Sequence, residues 1–172
     1  RRMTRLLLAM LWLWPTIGAA DFATGSEAYM REDYATALRE WRPLAEDGDG
    51  DAQYALGSIY RFGRGVAEDA GEAAKWWRMA AVQGDVDAQL SLATLYLEGK
   101  EPHTDRKEAL KWYRLAAEQE NANAQFSLGN MYAKGDGVAK DVVEALRWFR
   151  MAAEHGFAYA QYILGVMYES GE

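Results

Sequence analysis

The stretch AQFSLGNMYAKGDGVAKDVVEALRWFRMAAEHGFAY, residues 124–159, decides the fold because its pattern recurs along the chain every 36 residues. Each copy opens on an Ala-Gln pair, followed by a Leu, a Tyr and a Gly at constant offsets. The second half of this copy carries Asp141, Ala145 and Trp148, and the corresponding types recur upstream. A period of about 20 to 50 residues indicates a solenoid or array of repeated units.

The opening residues of the copies divide the chain into units. They are Ala52, Ala88, Ala124 and Ala160. We predict a degenerate first repeat at 21–51, complete repeats at 52–87, 88–123 and 124–159, and a truncated repeat at 160–172. In such an array each unit buries its apolar residues against its neighbours rather than in one central core.

Each unit is predicted to form two amphipathic helices, A and B. In the first complete unit, helix A covers residues 52–62, with apolar or small residues at 52, 56, 59 and 60. Helix B follows Asp69 and Glu72, whose spacing predicts a capping box, and it runs to about Gln83. The glycines between the helices favour a turn with positive φ. Gly57 and its equivalents predict close approach of helix B to helix A, since Gly inside a helix costs about 1 kcal/mol relative to Ala.

The degenerate first repeat is predicted by aligning the chain backward by 36 residues. This alignment gives a shortened first helix at 26–31, started by a Thr24 and Glu27 capping box. The second helix covers 33–47 and begins at Asp33 as its N-cap.

Composition and charge exclude several classes of function. Half of the residues are apolar and 13% are aromatic, so the chain contains enough apolar surface to fold. The formal charge of −7 argues against nucleic acid as a partner, because nucleic-acid binding requires clustered Lys and Arg. The chain has no cysteine, which excludes disulfides, thiolate zinc sites and thiol nucleophiles.

The amino-terminal residues 1–20 have the layout of a secretory signal peptide. A basic start precedes the apolar run LLLAMLWLW at 6–14, and small residues at 18 and 20 fit a cleavage site before Asp21. The run is shorter than the roughly 20 residues of a membrane-spanning helix, so we expect no membrane span in the mature chain. We therefore expect a periplasmic or secreted protein, and the alternative is an uncleaved amino-terminal anchor in the inner membrane.

The repeated residues resemble a known family. The pattern A-Q-x-x-L-G-x-x-Y-x-x-G-x-G-V-x-x-D-x-x-x-A-x-x-W is similar to the Sel1-like repeat, a relative of the tetratricopeptide repeat, over residues 33–172. The resemblance implies an all-α, right-handed superhelical solenoid of antiparallel helix pairs that acts as a protein-interaction scaffold, often in the bacterial envelope. The middle unit departs from the pattern with Glu101 and Pro102, so we expect a different turn there.

Catalytic and metal-binding readings are weaker than structural ones. The Asp and Glu pairs at 69/72, 105/108 and 141/144 recur in every unit, which favours helix caps over acid and base catalysts. Residues 47–51 resemble the start of a calcium loop, but Ala52 and Ser58 stand where Gly and Glu are required. His103 and His155 have no spacing typical of metal ligands. We therefore predict no enzyme activity, no metal and no cofactor.

Binding is predicted on the helix A positions that packing does not determine. By analogy with tetratricopeptide arrays, these positions line the concave face. They are Tyr54, Ser58, Arg61, Phe62, Leu90, Thr94, Leu97, Glu98, Phe126, Asn130, Ala133, Lys134, Tyr162, Val166 and Glu169. The column formed by positions 54, 90, 126 and 162 either anchors an extended peptide or amphipathic helix, or serves only to pack neighbouring repeats.

The sequence thus predicts a non-enzymatic interaction scaffold with a protein or peptide partner. Two alternatives are a hydrolase directed at β-lactams or the cell wall, and an accessory protein that binds glycan or peptidoglycan. The first is known for cysteine-rich members of the family, whose feature of one disulfide per repeat this chain lacks.

Overall fold

The computed structural model describes residues 20–99 and 104–170, and every regular element in these ranges is an α-helix. The helices are α1 Phe22–Met30, α2 Tyr34–Glu46, α3 Gly50–Phe62, α4 Ala70–Val82, α5 Val86–Glu98, α6 Arg106–Glu118, α7 Ala122–Lys134, α8 Val142–Glu154 and α9 Ala158–Ser170. Each helix packs against the next along the chain. The predicted all-α solenoid of helix pairs is therefore confirmed, with the odd-numbered helices as A and the even-numbered as B. Residues 1–19, 100–103 and 171–172 lie outside the described residues, including most of the predicted signal peptide, Glu101, Pro102 and His103.

The A helices of the complete repeats begin two residues earlier than predicted. Their N-caps are the Asp or Asn three residues before each recurring Ala, and each cap side chain accepts a hydrogen bond from that Ala N–H. The Oδ1 atom of Asp49 lies 2.8 Å from the nitrogen of Ala52. The prediction began at the Ala because that residue opens the repeated pattern, whereas the cap that starts the helix precedes it.

The B helices begin as predicted, although only half of the capping box forms. The Asp69 side chain accepts a hydrogen bond from the Glu72 N–H at 2.9 Å, and the same contact recurs in the next two repeats. In a full capping box the Glu72 side chain would accept from the Asp69 N–H. Here the Asp69 N–H donates to the Tyr60 carbonyl instead, at 2.9 Å. The Glu72 carboxylate pairs instead with Lys75, at 3.2 Å.

Close packing at the helix A glycines is confirmed in two repeats. A Cβ atom built on Gly57 would lie 2.3 Å from the Trp77 ring, and one on Gly129 would lie 2.6 Å from the Phe149 ring. Among the described residues, nothing lies within 4 Å of the equivalent position on Gly165. The missing side chain at these glycines therefore lets helix B pack closely against helix A. At this short separation the Trp77 indole N–H donates to the Tyr54 carbonyl at 3.2 Å.

The loops between helix A and helix B also pack against the preceding repeat. Gly63 ends α3 with a φ of 63°, as predicted, whereas Gly99 ends α5 with a φ of −61°. The rest of the turn that was predicted to differ in the middle repeat lies outside the described residues. A Cβ on Gly65 would lie 2.5 Å from the Cβ of Tyr34, at the start of α2. A Cβ on Gly137 would lie 2.4 Å from the Arg106 backbone oxygen, at the start of α6. Both loops thus lie directly on the first turn of the preceding helix B.

The first repeat differs from its prediction at helix A. This helix covers Phe22–Met30 rather than 26–31, and its N-cap is Asp21 instead of Thr24. The reason is that the connection between α1 and α2 is four residues shorter than the connection between α3 and α4. The Asp33 N–H donates to the Ala28 carbonyl, and the equivalent bond in the next repeat runs from the Asp69 N–H to the Tyr60 carbonyl. The backward alignment by 36 residues is therefore wrong by four residues before α2. The second helix and its Asp33 cap are confirmed.

A buried glutamine joins each repeat to the one before it. Gln53 is 1% exposed, and its Nε2 donates to the Ala45 carbonyl of α2 at 3.0 Å. Its Oε1 accepts a hydrogen bond from Gln83 at the end of α4, at 2.8 Å. The same pair of contacts recurs at Gln89, and at Gln125 the second partner is the Nδ1 atom of His155. The Gln that marks the register in the sequence is thus a structural link between helices.

A second inter-repeat link connects arginines of the B helices with tyrosines of the following A helices. Arg42 donates to the Tyr60 hydroxyl at 2.7 Å. The Arg78 to Tyr96 and Arg114 to Tyr132 pairs repeat this contact. The recurring Tyr of the sequence pattern therefore contacts the preceding repeat through its hydroxyl group.

Candidate interaction surface on the A helices

Seven of the fifteen predicted binding positions surround one depression between α3 and α5. This depression has a volume of about 370 Å³. Its lining includes Tyr54, Ser58, Arg61, Phe62, Leu90, Thr94 and Glu98. Four come from the turns of α3 and three from α5, so the parallel A helices bring these sequence-distant positions together.

A second depression lies between α1 and α3 and has a volume of about 670 Å³. Its lining includes Phe22, Ser26, Tyr29, Met30, Trp41, Asp51, Tyr54, Ala55, Ser58 and Phe62. Because Tyr54, Ser58 and Phe62 line both depressions, the two form one groove across α1, α3 and α5, here named the A-face groove.

The α1 wall of the groove was missed by the sequence analysis. Its residues are equivalent to four predicted binding positions of α3. They are Phe22, Ser26, Tyr29 and Met30. The sequence signal for this wall was the pair Gly25 and Trp41, which makes the same contact as Gly57 and Trp77. The first two residues are 16 positions apart, whereas the second two are 20 positions apart. Recognition of this shorter spacing would have corrected the alignment.

Hydroxyl groups recur along the groove but use their protons inside their own helices. Ser26 and Ser58 donate to the backbone oxygens of the residues four positions earlier, at 2.9 and 3.1 Å. Thr94 makes the same bond at 2.9 Å and also lies 2.9 Å from the Tyr113 hydroxyl. Burial raises the pKa of the Tyr113 phenol, while its hydrogen bonds to Thr94 and Ser127 oppose that shift.

The edge of the groove carries exposed apolar side chains beside arginines. Phe62 is 62% exposed and Met30 is 84% exposed. The Arg64 guanidinium lies 5.1 Å from the centroid of the Tyr29 ring and 5.7 Å from that of Phe62. It also donates to the Tyr29 hydroxyl. Arg61 lies 5.9 Å from the Phe62 centroid. This edge therefore combines apolar area with positive charge.

The remaining predicted positions do not join this groove. Leu97 packs against the core between repeats. Phe126 contacts the rings of Phe149, Phe157 and Tyr159, with centroid distances of 5.4, 4.7 and 5.5 Å. The other positions lie on α7 and α9 and are half-buried or exposed. They are Asn130, Ala133, Lys134, Tyr162, Val166 and Glu169.

The predicted column of apolar groups has mixed surroundings. Tyr54 and Leu90 are half-buried, line the groove and pack against the core. Phe126 belongs to an aromatic cluster formed by α7, α8 and the start of α9. Tyr162 is 65% exposed and stacks on Tyr159 at 6.1 Å. Tyr54 and Leu90 therefore both pack neighbouring repeats and line the groove, so the two roles that the sequence left as alternatives occur together at these positions.

The acidic side chains that suggested other chemistry have structural partners. Asp49, from the calcium-like stretch, caps α3, and Asp47 is the C-cap of α2. Within 20–99 and 104–170, no cluster of three or more His, Asp or Glu side chains has an arrangement suited to a metal ion. The helices in these ranges also include none with the length and apolar character needed to cross a membrane.

The fold and the groove define the class of protein. The nine helices of the described residues form an α-helical repeat solenoid with a grooved face, and from α2 onward the helix pattern recurs every 36 residues. The chain matches the Sel1 repeat over residues 50–85, 86–121, 122–157 and 158–172, and it belongs to the Sel1 repeat family. Proteins of this family are generally protein-interaction scaffolds. The matched units start at the first residues of α3, α5, α7 and α9.

Solved structures of bacterial relatives have the same fold. A Sel1 repeat protein from Oxalobacter formigenes is 36% identical, with a TM-score of 0.80 over 88% of this chain and 62% of that one. A protective antigen of uropathogenic Escherichia coli with the Sel1-like repeat fold is also 36% identical, with a TM-score of 0.78 over 88% and 34%. A Klebsiella pneumoniae Sel1 repeat protein is 28% identical, with a TM-score of 0.51 over 76% and 62%. No curated protein matches the sequence. The chain thus spans about a third to three fifths of the length of these relatives.

Proposed function

We propose that the protein is a non-enzymatic interaction scaffold of the bacterial cell envelope, which binds a peptide segment or a partner protein in the A-face groove. The observation that carries this proposal is the continuity of the groove across three A helices, with Phe62 and Met30 exposed at its edge. Concave surfaces that combine apolar area with a few polar groups are typical of binding sites.

The envelope location is proposed from the amino-terminal sequence. Residues 1–20 have the basic, apolar and small-residue segments of a signal peptide. The relative from Escherichia coli is a protective antigen, which supports an exported protein. An uncleaved amino terminus held in the inner membrane is the alternative. Alkaline phosphatase fused after Ala20 in a Gram-negative host tests export, and an inactive fusion would contradict it.

Site-specific photo-crosslinking tests the groove as the binding site. A photoreactive amino acid is placed at Phe62 or Met30 in the full chain expressed in its host, and at Leu115 on α6 as the control. We expect defined cross-linked proteins from the two groove positions and not from Leu115. Equal patterns from both faces, or no groove-dependent product, would contradict a protein-binding groove.

A further inference from the structure

We infer that the A-face groove between α1 and α3 binds an acidic peptide segment, whose apolar side chain contacts Phe62 and Met30 and whose carboxylate contacts Arg64. This inference rests on the proposed function and adds the chemistry of the partner. It follows from three features of the groove: its exposed apolar edge, the position of Arg64 and the placement of the acidic side chains that line the groove.

The apolar edge provides a surface that a partner side chain can cover. Phe62 and Met30 end α3 and α1, and both line the depression of about 670 Å³. Both remain largely exposed although aromatic residues lie beside them in the same depression. Burial of apolar area drives association, and aromatic residues at such positions commonly contribute much of the binding energy. A large apolar side chain is therefore the group that fits this edge.

Arg64 lies at the edge of the depression and has no ion pair among the described residues. Its guanidinium lies over the rings of Tyr29 and Phe62 and is bonded to the Tyr29 hydroxyl. No carboxylate of the described residues lies within 4.0 Å of it, whereas Arg61 pairs with Glu68 at 2.9 Å. Arg42 and Arg114 likewise donate to tyrosine hydroxyls, but Arg64 differs from them in lying over two rings that line the depression. A preorganised guanidinium with free N–H groups is suited to a carboxylate.

Acidic side chains restrict where the partner carboxylate can lie. Asp51 lies in the first turn of α3, eleven residues before Phe62, which corresponds to about 16 Å along the helix. An extended peptide of about five residues covers that distance. Glu98 lines the adjacent depression between α3 and α5. Like-charge repulsion at both places favours a carboxylate at Arg64.

Selection from a random peptide library tests this chemistry. A phage-displayed library of twelve-residue peptides is selected on the purified protein and sequenced. In parallel it is selected on Arg64→Gln, Phe62→Ser and Lys107→Gln, where Lys107 is an exposed cation of α6 away from the groove. We expect peptides that combine Asp or Glu with a Leu, Phe or Trp, enriched on the unmodified protein and on Lys107→Gln only.

Fluorescence anisotropy then measures the charge contribution with the most enriched peptide and its Gln-substituted form. A carboxylate that contacts a guanidinium contributes enough that its replacement weakens binding by about tenfold or more. The Arg64→Gln protein should bind both forms with the same weaker affinity. Circular dichroism confirms that each variant remains folded.

The outcomes separate the inference from the proposed function. If enriched peptides lack acidic residues, or Arg64→Gln binds them as tightly while Phe62→Ser does not, the acidic partner is wrong and the groove remains a binding site. If Phe62→Ser also leaves binding unchanged, or no peptide is enriched, the groove is not a peptide-binding site and both proposals fail.

Discussion

The tightest constraint on a single residue is the contact between Gly57 and Trp77. A methyl group at Gly57 would lie 2.3 Å from the Trp77 ring, so Gly57→Ala should destabilise the protein by about 1–3 kcal/mol through overpacking. Gly165→Ala has no neighbour within 4 Å and should be neutral or stabilising by up to about 1 kcal/mol, because Ala favours a helix. Urea unfolding measures both changes, and equal effects would refute the packing explanation.

The middle repeat suggests a compensating substitution for the same contact. There Ala93 takes the place of Gly57, and Tyr113 takes the place of Trp77. Trp77→Tyr should therefore reduce the cost of Gly57→Ala, with a coupling energy of about 0.5–3 kcal/mol in a double-mutant cycle. Additive single effects would show that the two positions do not constrain each other.

The buried phenol of Tyr113 should make the stability depend on alkaline pH. Burial raises its pKa in the folded state above the ordinary value of about 10, so its stabilising contribution is complete below pH 10. As the pH rises from 10 through the raised pKa, the unfolded state loses its proton first and stability falls. Tyr113→Phe should reduce this fall by up to about 1.4 kcal/mol per pH unit. Urea unfolding between pH 8 and 11 measures it, with Tyr159→Phe, which removes an exposed phenol hydroxyl, as the matched control.

At the level of the helices, the buried glutamines determine how repeats join. Gln89→Leu should cost about 1–3 kcal/mol, because the Ala81 carbonyl loses its side-chain donor and the Gln119 amide loses an acceptor. Gln161→Leu should cost less, because Gln161 and its bond to Ala153 are exposed and water can replace the amide. Urea unfolding compares the two variants, and a similar loss in both would contradict the role of burial.

The sequence predicted the helices well where each residue had a copy 36 positions away. Helix B of each unit was predicted to be amphipathic, and Ala73, Trp76 and Trp77 lie buried in α4. The prediction failed where the period changed, since the connection before α2 lacks four residues. Ends of helices were less accurate because a cap such as Asp49 is a local hydrogen bond that lies outside the apolar pattern.

The candidate site was only partly predictable for the same reason. Tyr54, Ser58 and Phe62 were identified as free helix A positions, and the structure places them between two depressions. The α1 wall was missed with the alignment. The position of Arg64 over two rings was also beyond prediction, because it depends on Tyr29 from the preceding repeat. Contacts between repeats of different length require three-dimensional coordinates.

Across the whole molecule, stability should vary along the array of helices. Within residues 20–99 and 104–170, the middle helices pack on both sides, whereas α9 packs mainly against α8 and keeps Tyr162 exposed. In a linear array, local opening begins where neighbours are fewest. Hydrogen exchange followed by mass spectrometry should therefore show the fastest exchange in α9 and the slowest in α5 and α6. Uniform protection would indicate a single cooperative unit.

The packing of Gly65 and Gly137 against the preceding repeat has a practical consequence for engineering. An affinity tag or foreign epitope inserted into these loops would separate neighbouring repeats, because an added side-chain atom already meets Tyr34 or the Arg106 backbone. Among the described residues, the turns at Gly48, Gly84 and Gly156 have no neighbour within 4 Å of such an atom. These turns are the points at which the protein can be cut, extended or recombined as a modular scaffold.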